Sequence, residues 1–351
     1  MDTTGLPHTV ENLENLILPA IDRVEESFSV RVVAVCTDGA SNMAGLRDAI
    51  RAKKPQVSAY WCQAHVLNLL AQDLIKMHKD VFDKVVMGLK FLKDHHNAHA
   101  ALKEQGIPLP DLPCLTRWST ANASLEYFNK FWGRLTEIIA TLVPPNHHVR
   151  MVMENVLVRR ATEDLVCQQN PIALALARVQ GDTSSLATAV EAWLALLQTF
   201  PAKFKDEKAK VVERSLHCMR DPLFLATFLL DHRHSGLGLS AEQLVSARTY
   251  LEDLSEDPAS VALFLAREGA FAARLFELHV DPLTWWQAGL RSGFPPSLTN
   301  TAVRLLSCIT SSAGLERQFS RLRLTYGLLR ARLHPEKAGK LGFLAGILNS
   351  K

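Results

Sequence analysis

From residue 116 to about residue 279 the chain keeps helical spacing almost throughout, and this stretch limits the fold more than any other feature. Segments rich in Ala and Leu at 172–179, 186–199 and 261–278 repeat apolar residues every three or four positions, as one buried helix face requires. Breakers punctuate the run at Pro144 and Pro145, Gly181 and Asp182, Pro201, Asp221 and Pro222, and Ser235 and Gly236. No fixed-period repeat is present. Strand signals are confined to the start. Val30, Val32, Val33, Ala34 and Val35 are nearly contiguous, and residues 30–36 are expected to form a short buried strand. Residues 58–62 predict a second. Helices are expected at 10–26, 42–52, 65–77 and 81–95, and a Pro-rich connector at 107–113. After Asp281 and Pro282 come helical runs at 298–306 and 316–324. A final helix is expected near Pro335, a residue suited to a first turn, with Leu341, Leu344 and Leu348 as its apolar stripe. The expected class is α/β plus all-α, mostly helical overall.

Composition excludes several alternatives. Hydrophobic residues make up 48% of the 351 positions, too many for a disordered chain. The net charge of +3 excludes a protein basic throughout, though not a local basic patch. Six cysteines stand singly at 36, 62, 114, 167, 218 and 308, too dilute for a disulfide scaffold, and a reducing compartment is expected. Residues 1–15 are polar and lack a secretory leader pattern. No run approaches ~18 apolar residues, so no membrane partner is expected. Gly-rich phosphate loops and a Gly-x-Ser-x-Gly elbow are absent, so hydrolase and nucleotide-kinase readings have no support; no small-molecule substrate is expected.

Four places carry chemistry. Asp38 follows the first strand and precedes Gly39, where a strand end holds a metal ligand rigidly; an Asp there also caps a helix or makes a turn. Cys62-x-x-His65 has half of a zinc ligand set, and no second pair lies nearby, so a packed structural pair is the expected role. Arg117 and Trp118 follow the Pro-rich connector. Such a pair grips phosphate and stacks on a base, or packs as a core Trp with a rim Arg. Between 316 and 340, Arg317, Arg321, Arg323, Arg330, Arg332, Lys337 and Lys340 face only Glu316 and Glu336, a local net of +5. That segment suits a phosphate backbone, or forms a solvated helix face.

Taken in order, these blocks resemble the hAT superfamily of DDE transposases. VRVVAVCTDGASN at 30–42 resembles the strand that carries the family's second aspartate and usually ends in TDNASN. WCQAHVLNL at 61–69 resembles its Cys-x-x-His block and LTRWS at 115–119 its Arg-Trp block. TSSAGLERQFSRLRLTYGLLRARL at 310–333 resembles the C-terminal block, the most specific of the set. Residues 221–231 and 281–286 resemble weaker intervening motifs. The resemblance implies an RNase H-like fold interrupted by a large helical insertion, with three carboxylates that hold divalent metal for DNA cleavage and transfer. It places Asp38 at the second aspartate and Glu316 at the catalytic glutamate, both also metal ligands if the protein is active. Cys62 and His65 match the structural pair. Arg117, Trp118, Arg317, Arg321 and Arg323 are the implied DNA contacts. The C-terminal dimerisation region would use Phe319, Leu322, Leu341, Phe343, Leu344 and Leu348.

The match departs from the family pattern in three respects. The family's first aspartate lies on a strand upstream of residue 1 of this sequence, so the chain reads as N-terminally truncated, without the opening strands or the usual BED-type zinc finger. Leu315 stands where the family has Ser, and Gly39 where it has Asn. The expectation is a transposase-derived nuclear protein, inactive or fragmentary, that forms a homodimer and has DNA as a second candidate partner. No cofactor is expected for this chain; a completed site would take Mg2+ or Mn2+. A working transposase stays open if Asp2, Asp22 or another carboxylate replaces the first aspartate, and so does a helical scaffold without nucleic-acid affinity. Three parts are expected: 1–119 as the N-terminal portion of the RNase H-like domain, 120–280 as the helical insertion, and 281–351 as the C-terminal portion with the dimerisation region.

Overall fold

The computed structural model describes residues 7–113 and 118–325, without the side chains of 118, 119, 273, 274 and 320–325. In chain order the elements are α1 (Val10–Phe28), β1 (Ala34–Thr37), α2 (Ser41–Lys53), β2 (Ser58–Trp61), α3 (Gln63–Met77), α4 (Lys79–Asp94) and α5 (His96–Glu104). Then follow α6 (Trp118–Leu142), α7 (His148–Met153), α8 (Val156–Val179), α9 (Leu186–Thr199), α10 (Lys205–Met219) and α11 (Pro222–Leu230). The last are α12 (Ala241–Ser255), α13 (Pro258–Ala266), two 3-10 turns at Gly269–Phe271 and Ala273–Glu277, α14 (Pro282–Arg291), α15 (Pro296–Leu306) and α16 (Ala313–Thr325). The described chain is thus mostly helical, with two strands. The helix expected at Pro335 lies outside the described residues.

The chain divides into two compact units. One comprises Met1–His65, Arg178–Glu191 and His217–Lys351; the other comprises Val66–Ala177 and Ala192–Leu216. These limits do not coincide with the expected boundaries after 119 and 280, and the three-part division remains a proposal, as does the RNase H-like fold.

In the first unit β1 and β2 pair in parallel, with Ala34 opposite Ser58 and Thr37 opposite Trp61. Leu46, Ile50, Val57 and Ala59 are buried beside them, with Leu13, Ile17 and Val35 packed against that core. The strand expected at 30–36 begins only at Ala34. Helix α1 runs on to Phe28 and turns at Ser29 in the left-handed region (φ 50). The amide of Val30 donates to the Glu25 carbonyl, and that of Val32 to the Glu25 carboxylate, so the first valines wrap the helix end instead of pairing.

Helix α11 is buried on every side, which explains its lack of a polar face. Asp221 caps it by accepting from the Leu223 amide at 3.0 Å, and Pro222 occupies the first turn, where its missing N–H costs nothing. Ser240 and Gln243 form a reciprocal capping box at α12. The helix expected over 261–278 stops at Ala266. Arg267 turns left-handed (φ 58), its amide closes on the Leu263 and Phe264 carbonyls, and the 3-10 turns carry the remainder.

The second unit centres on Val85, Leu89, Leu92, Phe128, Leu135, Ile139, Met153 and Leu165, drawn from α4, α6, α7 and α8. Gly88 is required there, because a Cβ would lie 2.0 Å from the Met153 sulfur. Arg214 donates to Asp73 from Nε (2.9 Å) and Nη2 (2.6 Å), a partly buried pair that joins α10 to α3.

Candidate functional site

Strand β1 delivers Asp38 to a turn that several groups hold in place. The Asp38 Oδ1 atom accepts from the Ala40 amide at 3.1 Å, so this carboxylate makes an Asx-type turn ahead of α2. Arg47 reaches back from α2. Its Nη1 donates to the Thr37 hydroxyl at 2.6 Å and to the Asp38 carbonyl at 3.0 Å. Burial lowers the proton affinity of Arg47, and the neighbouring Arg51 charge adds to that. Even so, a buried guanidinium stays charged, so a permanent cation stands beside the Asp38 turn.

Glu316 belongs to the first turn of α16 and is exposed. Asp38 and Glu316 line one cleft of about 340 Å³, together with Cys36, His65 and Ser312. The fold therefore brings the two sequence-identified carboxylates to one cleft. Ser312 Oγ donates weakly to Glu316 Oε1 at 3.4 Å. Among the described residues no group of three or more His, Cys, Asp or Glu side chains is arranged to hold a metal ion. Paired-metal phosphoryl chemistry needs several carboxylates around both ions. The described residues do not fit such a group.

Cys62 closes the same region from the other side. Its amide donates to the Thr37 carbonyl at 2.7 Å, extending the sheet ladder by one residue, and the next amide, of Gln63, donates to Thr310 at 3.0 Å. The Cys62 sulfur lies 3.6 Å from the Ser312 hydroxyl. Its proton affinity falls to about 6, first because the Cys36 thiol hydrogen-bonds to it, against the opposing effect of burial, with help from Ser312 and the His65 amide. Cys36 moves the other way, raised by the same bond and by burial. Cys308 is pushed up to about 11, chiefly by burial. The His65 amide donates to the Cys62 carbonyl at 3.1 Å, and the His65 side chain lines the cleft.

The other sequence-identified residues scatter. Arg117 lies outside the described residues; Trp118 opens α6, and its side chain is not described. Arg317 turns inward to the loop before α9, donating to the Gln180 carbonyl at 3.0 Å and pairing with Asp182. Arg321, Leu322 and Arg323 continue α16, with side chains outside the described set, and Leu341, Phe343, Leu344 and Leu348 lie beyond it. Phe319 is 66% exposed, and Leu315, one turn earlier, 59%.

Two participants escaped sequence reasoning. Arg47 gives no linear signal. Trp61 gives one indirectly: a Cβ on Gly39 would lie 2.1 Å from the indole, so only Gly fits under that ring. The indole also meets the His217 ring edge-on at 4.1 Å, and the Arg47 guanidinium lies 5.5 Å from its centre. Gly39, which stands where the resembled motif has Asn, is therefore matched to Trp61.

Residues 267–346 match the hAT family C-terminal dimerisation region. No curated protein matches the chain. The described part of the hAT segment holds the 3-10 turns, α14, α15 and α16. Its core is aromatic: Phe271, Trp285, Trp286 and Phe294 interlock with ring centres 4.6–5.8 Å apart. Offset and edge-on contacts of this kind add to area burial. Both indoles satisfy their N–H groups, Trp285 on the Leu275 carbonyl and Trp286 on that of Leu230. Gly289 lets the Phe294 ring close over α14, since a Cβ would stand 2.1 Å from it. Among the described residues no helix is long and apolar enough to cross a membrane.

Proposed function

We propose that this is a hAT-transposase-derived nuclear protein that self-associates through its C-terminal segment and performs no DNA strand transfer of its own. The match of residues 267–346 to the dimerisation region carries this reading. The exposed pair Leu315 and Phe319 supports it, because residues four apart share one helix face and such a face gains by burial against a second copy. The loss of catalysis is supported at Asp38, whose carboxylate already serves its own turn beside the Arg47 cation. Light scattering on the full chain tests self-association: a mass of two protomers is expected, and a strict monomer at high micromolar concentration overturns it. A supercoiled-plasmid nicking assay with Mg2+ or Mn2+ tests the loss of catalysis. Nicking that disappears in Asp38→Ala and Glu316→Ala overturns that part.

DNA contact is the second reading, favoured by the net +5 between residues 316 and 340. Such contact would weaken steeply with added salt. Binding that is absent even at low salt removes it and favours a protein-only scaffold.

A further inference from the structure

We propose that the open edge of β1 is a docking surface for an extended segment of a protein partner, one that adds a strand and alternates apolar residues with Lys or Arg. The register fixes which groups are on offer. The Ser58 amide donates to the Val33 carbonyl at 2.9 Å and the Cys62 amide to that of Thr37 at 2.7 Å, with Ala34 opposite Ser58 and Cys36 opposite Tyr60. In a parallel ladder a residue turns its N–H and C=O to the same side, and successive residues alternate. Val33, Val35 and Thr37 therefore face β2, and Ala34 and Cys36 face away from it. Among the described residues no strand pairs on that side, and the main-chain amides and carbonyls of Ala34 and Cys36 have no hydrogen-bond partner. An edge of this kind is a template for a further strand.

The cleft of about 340 Å³ runs along this edge. Val35, Cys36, Thr37 and Asp38 all line it, although neighbours on a strand point to opposite faces, so it is open to both faces at once. Its two walls differ in chemistry. On the Val35 face, Leu13 and Ile17 of α1 and Met43 of α2 are only partly buried against the core. On the other face Cys36 shares its side with Tyr60 and, two residues on, with Cys62, whose sulfur lies 3.6 Å from the Ser312 hydroxyl. Ser312 leads into the first turn of α16, where the Glu316 carboxylate is exposed and, among the described residues, accepts only from Ser312 at 3.4 Å.

These walls select the occupant. Asp38 and Glu316 line the cleft, and no Lys or Arg does. A strand laid along β1 would use main-chain bonds to Ala34 and Cys36 for affinity and its alternate side chains for specificity. The residues on one side would cover Leu13, Ile17 and Met43. Those on the other would bring cations to Glu316 and Asp38. The docking surface does not depend on self-association through the C-terminal segment.

The test titrates a fluorescein-labelled Val-Lys-Val-Lys-Val peptide with the full chain and reads anisotropy. Saturable binding is expected, and it should weaken by about 3-fold or more when Glu replaces both Lys residues of the peptide. Methylating the peptide's backbone nitrogens should abolish binding, and this change leaves the protein untouched. Glu316→Lys, at an exposed position, should reverse the preference between the Lys and Glu peptides. Residue-resolved hydrogen exchange locates the added strand: the Ala34 and Cys36 amides should exchange rapidly in the free chain and slowly in the complex. No saturable binding, equal affinity for the Glu peptide, an unchanged preference in Glu316→Lys, or unchanged exchange at Ala34 and Cys36 overturns the proposal. Slow exchange at those two amides in the free chain also overturns it, because a second copy or the chain's own residues would then already cover the edge.

Discussion

The Tyr60 hydroxyl donates a 2.7 Å hydrogen bond to the carbonyl oxygen of Ile309, joining β2 to a residue 249 positions away. Ile309 is held on its other side by an antiparallel bridge to Ser185. The bridge runs through the Leu186 amide on the Cys308 carbonyl and the Thr310 amide on the Ser184 carbonyl, so three segments of one unit, distant in sequence, meet around Ile309. Tyr60 is 1% exposed, so its hydroxyl is withdrawn from bulk water and this bond is the one that replaces its hydration. Tyr60→Phe should cost about 1–2 kcal/mol. In urea unfolding this appears as a lower midpoint at unchanged slope. An unchanged midpoint would mean that the bond contributes nothing net.

Gly39 and Trp61 give a sharper expectation. The 2.1 Å approach leaves no room for a methyl group, and the ring is hemmed by His217 and Arg47. Gly39→Ala should destabilise by about 1–3 kcal/mol through overpacking. Gly39→Asn, the residue usual in the resembled motif, should cost at least as much. Trp61→Ala removes the obstruction, so adding Gly39→Ala to it should cost little. The cycle measured by thermal unfolding should thus be strongly non-additive; additive values would place the indole elsewhere.

His232 should impose a pH dependence. Its Nε2 meets the Leu278 carbonyl at 3.0 Å, its ring stacks on Trp285 at 4.9 Å, and its Nδ1 is buried without a partner. Bonding that carbonyl requires the proton on Nε2, so a second proton on Nδ1 would have no acceptor. Burial lowers the His232 pKa from 6.5; the Leu278 carbonyl, Asp231 and Asp281 oppose this, and Arg233 adds to it. The unfolded chain therefore takes up the proton first as pH falls. Stability should decline as pH drops below about 6.5 and level off once the folded state protonates too. One proton limits the slope to about 1.4 kcal/mol per pH unit. His232→Gln should flatten this part of the stability curve measured between pH 7 and 5, and an unaltered curve would remove His232 as its source.

These cases show which parts of the structure the sequence carries. Helices with their own periodicity and caps are legible: 186–199 is α9 residue for residue, and Asp221-Pro222 and Asp281-Pro282 mark the starts of α11 and α14. The β-branched run at 30–36 is legible as a strand but not its late start, because Glu25 of the preceding helix takes the Val30 amide on its carbonyl and the Val32 amide on its carboxylate. The run at 261–278 kept helical spacing, yet a left-handed Arg267 ends the helix, and no local residue preference announces that turn. At the candidate site Asp38, Cys62, His65 and Glu316 stood out as residue types in order. What surrounds them did not. The clamp of Arg47, the indole over Gly39 and the open edge of β1 depend on strand register and helix docking, which one sequence does not specify.

The exposed face of α16 supplies the last prediction. Leu315 and Phe319 are 59% and 66% exposed and lie one turn apart, within the segment that matches the dimerisation region. Burying a Leu or Phe side chain contributes about 1.5–3 kcal/mol. Only the exposed fraction is still to be gained, so about 1 kcal/mol each is the conservative expectation. Leu315→Ser with Phe319→Ser should then weaken self-association by at least ~10-fold, since ~1.4 kcal/mol corresponds to a factor of ten. Sedimentation equilibrium across a concentration series reads the dissociation constant directly. The monomer should keep its thermal midpoint, because neither side chain is buried in the isolated chain; a lowered midpoint would assign them to the fold. Retained midpoint with unchanged association would exclude this face from the interface and transfer the role to residues beyond 325.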